Sequence, residues 1–178
     1  MKKVIVIAEV GPNHNGKLKL AYKLIDIAKS CGADFVKFQT SIPELHISKF
    51  AKKENYQIKN TTKNETQLEM AKKITLSYEN FRKIKKYCKK KKIEFLSTPF
   101  DLQSIDFLKG LGMKYFKIPS GEITNLPYLM KVAKLKKKII LSTGMSNIQE
   151  IGDALRILNR MGTKKKYITI MQCNTEYP

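Results

Sequence analysis

At 178 residues the chain has the length of one domain, and 42% apolar with 9% aromatic residues is enough to build a core, which excludes a disordered polycation despite 35 basic against 15 acidic side chains and a formal charge of +20. Its longest apolar runs, such as Val4 to Ala8 and Ile139 to Leu141, fall far short of the roughly 18 residues of a membrane span. The first run is also shorter than the roughly 7 to 15 residues of a secretory core, so a cytoplasmic protein is expected.

The first strand is predicted over Val4 to Ala8, followed by a turn rich in Gly and Asn. A helix then carries Leu18, Ala21, Leu24, Ile25 and Ala28 at helical spacing and closes on Gly32. A second strand over Asp34 to Gln39 leads into a long polar stretch, Thr40 to about Thr75, with one helical pattern near Gln67 to Lys73. Next come helix Tyr78 to Lys90, strand Ile93 to Ser97, helix Leu102 to Leu111, strand Tyr115 to Ile118 and a helix near Pro127 to Ala133. Strand Lys138 to Ser142, helix Ile148 to Met161 and strand Tyr167 to Gln172 complete the order.

This alternation predicts an α/β fold of parallel βα units. Polar residues gather where each strand stops, as they do at the mouth of a (β/α)8 TIM barrel. A complete barrel takes about 250 residues and eight strands. Six predicted strands therefore read as an incomplete barrel, a single domain expected to continue beyond Pro178.

Gly11 to Lys17 matches the phosphate-loop spacing GxxxxGK after a strand and before a helix. Leu18 stands where Ser or Thr would hold magnesium, and Pro12 lacks an N–H, so an ordinary turn is the better reading. Glu9 ends an apolar strand, where a carboxylate needs either an ion pair with Lys37 or Lys117 or an active-site role. Lys37 and Gln39 share one face of the second strand at period two, and Lys117 ends the fourth. Two lysines aimed at one cavity suit an anion bearing phosphate or carboxylate groups. Ser97-Thr98, Ser120-Gly121-Glu122 and Ser142-Thr143-Gly144 add hydroxyls and a second carboxylate at successive strand ends.

The two histidines, His14 and His46, read as loop residues rather than a metal pair, and the three cysteines, Cys31, Cys88 and Cys173, as reduced structural thiols. Nucleic acid is the partner that charge alone suggests. Only Arg82, Arg156 and Arg160 are arginines, and the densest lysine cluster, Lys83 to Lys92, lies outside an apolar stripe of Phe81, Ile84, Tyr87 and Cys88. A solvated helix face is the favoured reading.

The runs Ala8-Glu9-Val10-Gly11, Asn13-His14-Asn15-Gly16, Gly32-Ala33-Asp34 and Val36-Lys37-Phe38-Gln39-Thr40 resemble the sialic acid synthase family. So do Phe95 to Phe100, Phe116 to Glu122, Leu141 to Met145 and Cys173 to Pro178, in the family's order along the whole chain. The segment Ile118 to Leu129 looks closer to the legionaminic acid synthase branch. The resemblance implies a TIM barrel followed by an antifreeze-like domain, and condensation of phosphoenolpyruvate with an N-acetylated mannose-type sugar and water. The product would be a nine-carbon 2-keto acid, made with help from Mn2+ or Mg2+ in a homodimer of the full-length protein.

By the same resemblance, Lys37, Thr98, Lys117, Ser120 and Ser142 would hold phosphoenolpyruvate, while Glu9, Gln39, Glu122 and Tyr177 would line the sugar and water side. Thr175 stands where several members have Asn. The family's metal-binding histidines belong to strands beyond residue 178, so the chain alone is expected not to catalyse. Two other readings stay open: a non-catalytic phosphoenolpyruvate binder and a basic nucleic-acid-binding protein.

Overall fold

The computed structural model describes residues 4–61 and 64–175. In chain order these form β1 (Ile7–Gly11), α1 (Leu18–Ser30), β2 (Phe35–Thr40), α2 (Asn55–Asn60), α3 (Gln67–Ile74), α4 (Tyr78–Lys91) and β3 (Glu94–Pro99). There follow α5 (Leu102–Gly110), β4 (Tyr115–Ile118), α6 (Leu126–Lys134), β5 (Lys138–Ser142), α7 (Ile148–Arg160) and β6 (Ile168–Met171). The class is α/β, with two three-stranded sheets in the orders β1-β2-β3 and β4-β5-β6. The β1/β2, β4/β5 and β5/β6 pairs are parallel. The chain divides into two compact units, with the boundary inside β3 between Phe95 and Leu96.

In the first unit, β2 buries Val36, Phe38 and Thr40 and turns Phe35, Lys37 and Gln39 to the other face. The Phe38 ring meets Phe81 edge-on and stacks on Phe95. Helix α1 buries Ala21, Ile25 and Ala28, and α4 buries Phe81, Ile84 and Cys88. Each fully buried Ile or Phe adds about 1.5–3 kcal/mol of stability. Opposite that stripe, Arg82, Lys83, Lys86, Lys89 and Lys90 are exposed, the solvated face that the sequence predicts. Gly32 takes φ +79 just past α1, a left-handed position that glycine fills at little cost.

Strand β1 differs from expectation. It begins at Ile7 and runs through Glu9 to Gly11, while Val4, Val6 and Ile5 are exposed. A charge ends a strand only when nothing faces it, and here Lys37 stands opposite Glu9 in the register. The long polar stretch also holds more structure than the one predicted helix: a 3-10 turn at Pro43–Leu45 and α2 precede α3.

In the second unit, Asp101, Asn125 and Asn147 cap α5, α6 and α7 by accepting from the N–H groups of Ser104, Tyr128 and Glu150. The helices bury Ile105, Leu108, Leu129, Val132, Ala154 and Leu158, and the strands bury Phe116, Ile118, Ile139 and Leu141. Tyr128 donates its hydroxyl to the Pro99 carbonyl at 2.7 Å within this core. Among the described residues, no helix is long and apolar enough to cross a membrane.

Candidate functional site

In the first unit, β1 and β2 place Glu9 and Lys37 side by side, with Lys37 Nζ 2.5 Å from Glu9 Oε2. Lys37 is 16% exposed and Glu9 47%, so the pair sits at the edge of solvent rather than in the core. The register slips between Glu9 and Gly11, where Gly11 takes φ +49. A side chain at Gly11 would press against Glu9 Oε1 at 3.0 Å and Gln39 Nε2 at 3.7 Å. Glu9, Lys37 and Gln39 therefore cluster at the end of one parallel strand pair, as the ion-pair reading of Glu9 requires.

The following loop is not a phosphate cradle. The N–H groups of Asn13, Asn15 and Lys17 donate to the carbonyls of Val10, Pro12 and His14, and Gly16 donates to His14 Nδ1 at 3.2 Å. Four donors that would wrap a phosphate are thus committed within the turn. His14 is buried beside Phe38, and burial lowers its pKa below the ordinary histidine value. His46 likewise bonds within its own loop, to the Ile42 carbonyl.

In the second unit, β4 and β5 carry the other cluster. Lys117 is 8% exposed and donates to Ser142 Oγ at 2.5 Å and to the Ile118 carbonyl at 3.1 Å. Ser120 Oγ accepts from the Gly144 N–H at 3.0 Å and lies 3.7 Å from Cys173 Sγ. Thr143 donates to the Met171 carbonyl, tying the β5 end to β6. One ammonium and two serine hydroxyls so gather at the ends of β4 and β5, with the Gly144 N–H committed to Ser120. Lys117 keeps a third N–H, and each hydroxyl can turn its proton, so the set can donate to a small anion.

Of the remaining expected site residues, Thr98 is buried on β3. Glu122 accepts from Asn125 Nδ2 at 2.6 Å at the start of α6, and Thr175 lies against Gly144. Tyr177 falls outside the described residues. Cys173 is the residue that sequence reading missed: spacing alone made it a structural thiol, but it touches Ser120. Desolvation raises its pKa, and hydrogen bonds from Ser142, Ser120 and the Thr143 and Gly144 backbones outweigh that, leaving the thiol below its ordinary value. Cys88, by contrast, is pushed up to about 12 by burial.

Among the described residues, no three His, Cys, Asp or Glu side chains gather where they could hold a metal ion.

A sequence profile of the NeuB family matches residues 24–178. The chain belongs to the NeuB family. It is 57% identical over its whole length to N,N'-diacetyllegionaminic acid synthase of Campylobacter jejuni subsp. jejuni serotype O:2, covering 53% of that protein. It is 44% identical over 175 residues to the enzyme of the same name from Legionella pneumophila, covering 97% of this chain and 49% of that one. Among solved structures, the N-acetylneuraminic acid synthetase of Leptospira borgpetersenii in complex with citrate superimposes with a TM-score of 0.83 at 29% identity, over 99% of this chain and 56% of that one. The chain thus spans about half the length of the family relatives it matches.

Proposed function

We propose that the chain carries the phosphoenolpyruvate-binding residues of a nonulosonate synthase, an enzyme that condenses phosphoenolpyruvate with an N-acetylated mannose-type sugar to give a sialic-type 2-keto acid. The observation that carries this reading is the cluster of Lys117, Ser142, Ser120 and the Gly144 N–H at the ends of β4 and β5. The 57% identity to a diacetyllegionaminic acid synthase supports a diacetamido sugar as the acceptor. Citrate in the Leptospira structure, a small multiply charged carboxylate, fits the same ligand chemistry.

In this reading the six strands are successive strands of a TIM barrel, and Thr98, Lys117, Ser120 and Ser142 of the second unit hold the anion. The Lys117 ammonium offsets the phosphate and carboxylate charge, and the hydroxyls fix the orientation. Glu122 and Thr175 serve the sugar and water side, where the carboxylate orients the attacking water and accepts its proton. Glu9, Lys37, Gln39 and Tyr177 keep the roles that the family resemblance implies. Among the described residues no three His, Cys, Asp or Glu side chains gather to hold Mn2+ or Mg2+; such an ion, when bound, would polarise the sugar aldehyde. The full-length protein works as a cytoplasmic homodimer in this reading.

Calorimetric titration of the 178-residue chain with phosphoenolpyruvate tests the proposal. Saturable heat is expected for the wild type, with affinity falling about ten-fold or more in K117M through loss of charge-assisted hydrogen bonds. No heat up to millimolar ligand would reject it.

A further inference from the structure

Gly144 stands where the chain leaves β5, and its backbone does not explain why it is a glycine. Gly11, Gly16, Gly32, Gly112 and Gly162 adopt positive φ, whereas Gly144 does not. The left-handed residue of this turn is its neighbour Met145, at φ +59. What excludes a side chain at Gly144 is its surroundings. An added Cβ would lie 3.0 Å from Ser120 Oγ and 3.2 Å from the Cys173 carbonyl, and closer still to Thr175 Oγ1.

The same residue donates its N–H to Ser120 Oγ at 3.0 Å. A serine hydroxyl has one proton and two lone pairs, so this bond occupies a lone pair and leaves the proton for another acceptor. Cys173 Sγ faces that hydroxyl at 3.7 Å. Ser120 is thus held between a donor on β5's exit and the segment that follows β6.

We propose that Gly144 is a positioning residue of the anion cradle: its N–H aims the Ser120 hydroxyl, and its missing side chain lets residues 173–175 close against that hydroxyl. The proposal rests on the phosphoenolpyruvate reading for the identity of the anion, but not for the geometry. Its consequence is that Gly144 acts on the ligand only through Ser120, without touching it by a side chain of its own.

Cys173 supplies a readout that does not depend on ligand. In a C31S background the exposed Cys31 is removed, and Cys88 is buried and too basic to react. The pH midpoint of iodoacetamide alkylation then reports Cys173 alone. G144A and S120A are each expected to raise that midpoint by about half a unit or more: S120A removes a hydroxyl that favours the thiolate, and the methyl of G144A, which keeps its N–H, crowds Ser120 Oγ and residues 173–175 and so parts the sulfur from its donors. With Ser120 already removed, G144A should shift the midpoint by less than it does in its presence, because part of its effect passes through that hydroxyl. An unchanged midpoint in G144A, or fully additive shifts, would overturn the proposal.

If G144A alone fails to fold, comparing T175A with G144A/T175A keeps the test readable. The closest contact is then relieved, but Ser120 Oγ and the Cys173 carbonyl stay crowded, so an upward shift is still expected. Titration with phosphoenolpyruvate should show about ten-fold weaker binding in G144A. A C31S chain that binds no phosphoenolpyruvate would defeat the functional reading alone, because the alkylation midpoints decide the role of Gly144 without it.

Discussion

Lys37 and Lys117 accommodate a cation at a strand end in two ways. Lys37 has a carboxylate opposite it, and the half-exposed Glu9 makes the pair cheap to open. Lys117 is almost fully buried and donates to a hydroxyl and a carbonyl. Both lysines stood out in the sequence because a charge inside an apolar strand must be used or offset. Cys173 did not, because a sulfur acquires its character from the Ser120 and Ser142 hydroxyls that only the fold brings to it. His14 gives a direct test at this scale. Burial lowers its pKa, so below the ordinary histidine value of about 6.5 the unfolded chain binds the proton more readily than the folded one. Stability contributed by neutral His14 is present above that value and is lost as pH falls towards the folded pKa. Urea denaturation should show a fall of at most about 1.4 kcal/mol per pH unit in that window. In H14N the fall should flatten; an identical slope would show that other groups titrate there.

At the scale of elements, the first loop is fixed by packing as much as by its own turns. Gly16 takes φ +69, and a side chain there would meet the Lys73 carbonyl of α3 at 2.5 Å. We expect G16A to cost about 1–3 kcal/mol in urea denaturation, and a loss within about 0.5 kcal/mol would mean that α3 moves aside freely. Helices with an apolar stripe were legible to within a residue or two, as α1, α4 and α7 demonstrate. Helix α3 was also legible, and it starts with a Thr66–Glu69 capping box. Helix α2 was not: it buries no residue and is capped by Glu54 with Gln57, so it offers neither periodicity nor a common cap. The start of β1 was misplaced for the opposite reason, since Val4 to Val6 look like core and are exposed.

For the whole molecule the dominant fact is charge. With +20 on 178 residues, like charges repel more strongly in the folded chain than in the expanded one. Added KCl up to about 0.15 M shortens the screening length to about 8 Å and should raise the Tm, while a falling Tm would mean that specific ion pairs outweigh the net repulsion. The fold class was legible from the strict alternation of strands and helices, and the family from motifs at strand ends. What no single motif revealed is that Lys37 and Lys117 belong to different compact units. The central claim is that the Lys117 and Ser142 pair of the second unit binds phosphoenolpyruvate. Calorimetric titration of wild type, K117M, S142A and the double variant tests it most directly. If ammonium and hydroxyl share a ligand, K117M weakens binding about ten-fold or more, S142A weakens it too, and the double variant departs from the sum of the two losses. Independent losses that simply add, or a K117M chain that binds as well as wild type, would contradict it.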